Sequence, residues 1–373
     1  MNQRIYLTHG VKAYSEHTDF LADLPFPQKV HWFPETYKRV KTGMVYVPQL
    51  VADKVLDQQL AEWMRENPFG KTAFILAAGN TNFAGINPRN TKETQLSYVY
   101  KFLPLTLTQV YAGRIAQAFG ANDLIMTDTS ACASSVKVMM DVENLISNYE
   151  FDRVVVLAVE DQVANSTLDF FGESKAILSE EEAKTIKPSA FDSKNYGFYV
   201  GQGAALSVFM SETALWNSGV EPIAQLKGAY SAGERIDNAI GQRPDGEGFD
   251  RAIQGALHHA KVKPEEVKII KTHGTGTHSN NISERAATTK NFSDFVATSY
   301  KPRIGHTMGV SGLLETLMLF DDMKKGFIPG IPNRTESDKI FLSEDTSVPE
   351  GYVMTLAAGM GNIYSAAIFN TRV

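Results

Sequence analysis

Four short runs of residues that are apolar on both alternating faces do most to limit the fold of this chain. They span residues 72–79 (TAFILAAG), 153–159 (RVVVLAV), 267–272 (VKIIKT) and 353–358 (VMTLAA). A strand with one wet face alternates apolar and polar residues. Runs without that alternation suit central strands of a sheet covered by helices on both sides. Between them lie stretches of helical periodicity, at 105–119, 134–149, 248–260 and 311–325. Strands alternating with helices on this scale predict an α/β architecture. A chain of 373 residues, 43% hydrophobic and 21% charged, affords a sizeable core in one large domain or two. Strand signals restart at Ile223 after the polar stretch from Trp216 to Gly219, which places a boundary between halves 1–217 and 218–373. The polar segment 173–187 reads as an insertion or surface excursion, and no short-period repeat is visible.

Composition excludes several classes of function. The formal net charge is −6 and no long basic run occurs, which argues against a nucleic-acid binder. One cysteine makes neither an internal disulfide nor a cysteine-rich metal site. Of the eight histidines, His258 and His259 are adjacent and so face different ways on a helix, and no metal site is expected. The first residues lack the apolar stretch of a signal peptide, and no segment approaches the roughly 18 apolar residues needed to cross a bilayer. A cytoplasmic enzyme is the expectation.

The single cysteine, Cys132, lies in the run Thr129-Ser130-Ala131-Cys132-Ala133-Ser134-Ser135. It follows a strand-like segment and precedes a helical one, so it sits at or just before a helix N-terminus. The amide groups and dipole there favour thiolate over thiol. Small neighbours let a thioester carbonyl approach, and the Cys132 N–H is a candidate oxyanion donor. A lone cysteine in a run of small residues is ordinarily a buried packing thiol. Two downstream motifs bear on the choice: His273-Gly274-Thr275-Gly276-Thr277, and Lys301-Pro302-Arg303-Ile304-Gly305-His306-Thr307-Met308-Gly309. Each holds a histidine in a glycine-containing turn. His306 precedes a helical stretch, where the dipole disfavours imidazolium, and a neutral imidazole can donate a hydrogen bond to a developing oxyanion. Lys301, Glu315 and Glu284 lie five, nine and eleven residues from the nearer histidine, as candidates for a buried ionic network that orients both rings, or as ordinary surface charge.

The chain resembles the β-ketoacyl-acyl-carrier-protein synthases, the two-histidine condensing enzymes of the thiolase superfamily. Residues 128–135 are similar to that family's nucleophile motif, and Phe191-Asp192, Gly197-Phe198 and Gly201-Gln202-Gly203-Ala204 to its mid-chain segment. Residues 273–284 and 301–315 are similar to its two histidine motifs, and Gly359-Met360-Gly361 to its C-terminal loop. The resemblance implies an α/β, thiolase-like, five-layered α-β-α-β-α fold of two similar halves, and a dimer. It implies that Cys132 accepts an acyl chain from acyl-ACP or acyl-CoA. Malonyl-ACP (malonyl on the acyl carrier protein) then loses CO2, and its enolate attacks the acyl-cysteine. His273 and His306 would hydrogen-bond the malonyl thioester oxygen, with Lys301 tuning them through Glu315 and Glu284. Backbone N–H groups of Cys132 and Met360, with Gly361 in the same loop, would form the oxyanion hole and gate. No cofactor is implied beyond the phosphopantetheine arm that carries the substrates.

Several positions depart from that pattern. The family's Gly-Phe-Gly-Gly loop is here Gly359-Met360-Gly361-Asn362, so a slimmer, more flexible side chain replaces the gating phenylalanine. Asn281 stands where an aspartate is common, Asn195-Tyr196-Gly197 replaces Arg-Asp-Gly, and Gln202 replaces a glutamate. Lys38, Arg39 and Lys41 form the densest basic cluster of the N-terminal half, where the family docks its acidic carrier protein; a solvated charged face explains them as well. The alternative function is a non-catalytic subunit of the chain-length-factor type, within a heterodimer rather than a homodimer. Such partners usually lose the cysteine that this chain keeps.

Overall fold

The computed structural model describes residues 3–14, 18–20, 29–31, 39–42, 45–48, 58–66, 70–79, 108–160, 170–179, 181–201, 203–336 and 338–373. The apolar runs form strands buried on both faces. In chain order the main-sheet strands are β1 (Ile5–Tyr14), β2 (Thr72–Ala77), β3 (Leu124–Asp128), β4 (Arg153–Glu160) and β5 (Gly203–Ser211). The second set is β6 (Ala224–Gly233), β7 (Val267–Lys271), β8 (Val296–Thr298), β9 (Tyr352–Gly359) and β10 (Ile363–Asn370). Among the described residues these ten strands make one hydrogen-bonded run, ordered β8-β7-β9-β10-β6-β1-β5-β4-β2-β3.

The two sets of five repeat one another. Counted within its own half, each has the order 3-2-4-5-1. In each, the fifth strand alone runs antiparallel: β5 against β1 and β4, β10 against β6 and β9. The halves join where β1 pairs with β6, Ile5 opposite Leu226 and Leu7 opposite Ala224. No sequence repeat announces this symmetry, because a buried strand asks only for apolar residues and not for particular ones.

Alternation along each strand sorts side chains into layers. In β2, Ala73, Ile75 and Ala77 point to a central core, whereas Phe74 and Leu76 point outward. In β9, Val353 and Ala357 face the centre, with Met354, Leu356 and Ala358 on the other side. Two helices fill the centre: α3 (Ser134–Asn148) and α7 (Ser311–Lys324). In α7 every residue from 311 to 320 is buried, as expected of a helix covered on all sides. The outer face of the first half is covered by α1 (Gln58–Glu66), α2 (Thr108–Phe119) and α4 (Glu212–Ser218). That of the second is covered by α5 (Glu247–Ala260) and α6 (His278–Asn291). The result is the five-layered α-β-α-β-α arrangement of the thiolase-like fold. The passage between halves runs through α4 to Ile223, where Ser211 Oγ caps the helix on the Ala214 N–H and Gly219 closes it at φ +66°. Among the described residues no helix is long and apolar enough to cross a membrane.

The segment expected to be a surface excursion differs in its first part. Ile177 and Leu178 are buried, and Ile177 packs in one cluster with Cys132 and with Phe171, which precedes the segment. Polarity at Ser174 and Lys175 marks the rim of a cleft rather than a detour from the fold.

Candidate active site

Cys132 occupies a single 3-10 turn, Ala131–Ala133, between β3 and α3. Ala131 has φ +48°, a left-handed backbone that costs a non-glycine residue about 1 kcal/mol or more and turns the chain sharply. The turn is held from several sides. Asp128 accepts the Ser130 N–H at 3.0 Å and pairs with Lys137. Ser134 Oγ donates to Ala131 O at 2.7 Å. Gly359, at the end of β9, packs against it so closely that a Cβ there would lie 2.5 Å from Ser130 O.

The two histidine turns converge on the same place from the other half. Cys132, His273 and His306 all line one cleft of about 420 Å³, together with Phe198, Thr275 and Met360. The imidazole centroids are 5.6 Å apart, with ring planes at 81°. His273 follows β7, and its turn is clamped by Glu284, which accepts the His273 N–H at 2.5 Å and the Gly274 N–H at 2.9 Å. Asn280 donates to the same carboxylate at 2.9 Å. Glu284 therefore holds backbone. It was expected to orient imidazoles through an ionic link to Lys301, and the structure instead gives it amide partners.

His306 is fixed as a donor. Its Nδ1 accepts the Met308 N–H at 3.2 Å and lies 3.0 Å from Ser311 Oγ. A backbone amide can only donate, so in the neutral ring the proton must sit on Nε2. Phe198 stacks edge-on against the ring at 5.0 Å, and Phe171 against Phe198 at 5.4 Å. Burial holds both imidazoles well below their ordinary pKa, and the ammoniums of Lys301 and Lys271 push the same way. Both rings are neutral at physiological pH, so each can donate to a developing oxyanion without first losing charge.

Lys301 Nζ meets Glu315 Oε1 at 2.8 Å, and the second carboxylate oxygen is taken by Lys271 Nζ at 3.1 Å. All three side chains are at most 1% exposed. Lys271 was not singled out in the sequence, although a signal existed: a charged residue closing an apolar strand, two positions before His273. Glu160 was missed as well. It ends β4 and accepts the amides of Gly79 (2.7 Å) and Gly309 (3.2 Å), stitching the nucleophile region to the His306 turn.

Burial overturns one expectation. The helix N-terminus was expected to favour thiolate at Cys132. Desolvation is the larger effect, seconded by the charge of Glu160 and only partly offset by Lys301, and the thiol is pushed up to about 12. Alkylation of Cys132 by iodoacetamide should therefore rise about tenfold per pH unit from 7 to 10, following the thiolate fraction. A rate that levels off below pH 8 would contradict this.

The departures from the family pattern have local explanations. Asn281 Oδ1 accepts the Phe191 N–H at 3.0 Å while its Nδ2 reaches Gly276 O at 3.4 Å. A carboxylate could accept but not donate, so asparagine ties the mid-chain segment to the His273 turn where aspartate would bind only one side. Gly276 has φ +76° and a Cβ there would lie 2.0 Å from Ser189 O. Asn195 bonds Lys187 N and Asn333 O, and Tyr196 bonds Glu182. Met360 is 41% exposed at the cleft. Gly361 cannot serve the oxyanion hole as grouped with it, because its N–H is spent on Ala239 O at 2.8 Å. Lys38 and Gln202 lie outside the described residues. Arg39 and Lys41 lie on a strand, Arg39–Thr42, paired with Val45–Pro48; their side chains are outside the description.

Residues 51–214 match the model of the β-ketoacyl synthase N-terminal domain, and residues 223–335 that of the β-ketoacyl synthase C-terminal domain. The chain belongs to the β-ketoacyl synthase family. Within it this member is divergent. It is 26% identical over 276 residues to the tetracenomycin polyketide synthase ketoacyl synthase alpha subunit of Streptomyces glaucescens, a match covering 72% of this chain and 64% of that one. It is 23% identical over 278 residues to 3-oxoacyl-[acyl-carrier-protein] synthase 2 of Staphylococcus aureus, covering 72% and 66%. The chain thus matches about 64% of the length of its polyketide relative. Among solved structures, the ishigamide ketosynthase/chain length factor superposes with a TM-score of 0.78 over 100% of both chains at 19% identity, which establishes likeness of fold.

Proposed function

We propose that this family member is an active condensing enzyme, a 3-oxoacyl-[acyl-carrier-protein] synthase type acyltransferase of fatty-acid or polyketide-type biosynthesis. The observation that carries the reading is the convergence of one thiol and two neutral, donor-competent histidines on a single cleft. In the first half-reaction Cys132 Sγ attacks the carbonyl of an acyl thioester. The bond to the carrier sulfur breaks, and the proton lost by Cys132 leaves on the departing carrier thiol. The N–H groups of Cys132 and Met360 stabilise the tetrahedral oxyanion.

In the second half-reaction a malonyl thioester binds with its carbonyl oxygen facing His273 and His306. The C–CO2 bond breaks, CO2 departs, and both rings donate to the enolate oxygen. The enolate carbon attacks the acyl-Cys132 carbonyl, a C–C bond forms, the C–S bond breaks, and Cys132 takes up a proton. Fixed donors in a dry cleft need no reorganisation as the charge develops, which is where such a site gains most. Acyl carrier protein is the partner of this reading, with acyl-CoA as another acyl donor, and a homodimer or a heterodimer with a related subunit as the working assembly. The phosphopantetheine of the donors is the sole prosthetic group it invokes. A chain-length-factor role is disfavoured by the retained thiol and both histidines.

The test is intact-protein mass spectrometry after incubation with acyl thioesters of increasing length. We expect an acyl mass increment that maps to the Cys132 peptide and is discharged as a β-ketoacyl product on adding malonyl-carrier protein. No adduct from any donor would sink the catalytic reading.

A further inference from the structure

We propose that Lys271 is a positioning residue of the site: its ammonium shares Glu315 with Lys301 and completes a set of four buried charges that cancel. The four are Lys271 and Lys301 against Glu315 and Glu284, all at most 1% exposed. Lys271 comes from β7, Lys301 from the helical turn Lys301–Ile304 and Glu315 from α7, and these three are joined by ion pairs; Glu284, from α6, is bonded to amides and acts on Lys271 through its charge alone. The side chain of Lys271 points to the face of β7 used by Ile269, where an apolar residue would be the default. An ammonium taken there without an anion costs several kcal/mol, and it persists because Glu315 Oε2 at 3.1 Å and Leu356 O at 3.2 Å receive it.

The consequence lies with the histidines. Charged or titratable groups that act on this cluster are Lys271, Lys301, Glu315, Glu284 and the two imidazoles, with Glu160 and Cys132 on the nucleophile side and Tyr300, bonded to Asp322, beside Glu315. With Lys301 alone opposite two carboxylates, the set would carry one negative charge and invite a proton onto His273 or His306. A protonated imidazole would still donate, but its charge would also attract the malonyl carboxylate, stabilising the substrate before CO2 is lost and so opposing the step. Lys271 removes that incentive. It also occupies the second oxygen of Glu315, which leaves Lys301 one defined partner. The relevance to turnover rests on the condensing reading; the charge balance itself does not.

The experiment is histidine NMR titration of the whole protein from pH 5 to 8, in wild type, Lys271→Met and Lys271→Met/Glu315→Gln. Met is close to Lys in volume and needs no partner, so the single variant should fold; thermal unfolding checks this, and Lys271→Gln serves if it does not. In wild type His273 and His306 should show no titration over the range. In the single variant at least one should begin to titrate at the acid end of the range, as expected when a nearby pair of carboxylates loses one of its two counter-charges. The double variant leaves Lys301 against Glu284, cancels again, and should return the histidines to silence. Silence in the folded single variant, or equal titration in both variants, would overturn the proposal. Malonyl-thioester decarboxylation followed over the same pH range separates the two readings: absence in wild type refutes the condensing function while the titration still decides the role of Lys271.

Discussion

Replacing His273 or His306 with alanine should leave the acylation of Cys132 in place while slowing decarboxylation of the malonyl thioester by about 10²–10³-fold each, the scale for losing one preorganised oxyanion donor. The separation follows from where charge develops. In the proposed reaction the acylation oxyanion would form at the amides of the Cys132 turn and of Met360, which the imidazoles do not supply. In the proposed decarboxylation it would form on the malonyl oxygen, between the two rings, whose centroids are 5.6 Å apart. Double substitution should cost little beyond the worse single one, since residues acting on one oxygen are non-additive. His306 carries an additional duty: its Nδ1 receives the Met308 N–H and faces Ser311, so alanine also loosens the turn before α7. His306→Asn or Gln, which return a side-chain donor, should recover part of the rate. The readouts are the acyl mass increment on Cys132 and CO2 release from malonyl thioester. Loss of both half-reactions together in a folded His273→Ala protein would reject the division of labour.

The α/β class was legible because buried strands and helices announce themselves by apolar period, and each expected element lies within two residues of the observed one where the chain is described; the order of the layers came only with the family resemblance. The pseudo-two-fold was expected only through that resemblance and could not be read from the residues, because it lives in strand order and direction, and the sequence of β2 need not resemble that of β7 to occupy the same place. Cys132, His273 and His306 stood out because glycine-bearing turns and small neighbours are rare combinations with a chemical reason. The network behind them was half legible. Spacing drew attention to Lys301, Glu315 and Glu284 but gave no contact geometry, so Glu284 was assigned to imidazoles and serves amides. Lys271 and Glu160 hid in apolar strands, where one charged residue at a strand end ordinarily means solvent. The thiol went the other way: a helix start was visible in the sequence, but the depth of burial that outweighs it was not.

Glu315→Ala should be the most destabilising single substitution of a charged residue in this chain, by about 3–5 kcal/mol, because it strands two buried ammoniums. A ceiling can be set independently. Each lysine can escape by shedding its proton, and neutralising a group of ordinary pKa near 10.4 at pH 7 costs about 4–5 kcal/mol at roughly 1.4 kcal/mol per pH unit. Burial already lowers Lys271 in the intact protein, with Glu315 as the largest influence that restores it, so removing the carboxylate makes Lys271 the group to neutralise. The sign of the pH dependence follows. A lysine whose folded pKa is depressed leaves the unfolded chain holding more protons, so the stability of Glu315→Ala should rise with pH from the depressed value towards about 10. The penalty is fully present below that window and fades through it. Urea unfolding at pH 6, 7.5 and 9 reads both the size and the slope. The companion Lys271→Met/Lys301→Met/Glu315→Leu, which removes both stranded ammoniums together with their shared carboxylate and leaves Glu284 on its three amide donors, should recover most of the loss, since apolar replacement of a buried ion-paired triad is often neutral. A pH-independent loss in Glu315→Ala, or a triple variant no more stable than the single one, would mean that cavity formation rather than stranded charge sets the cost.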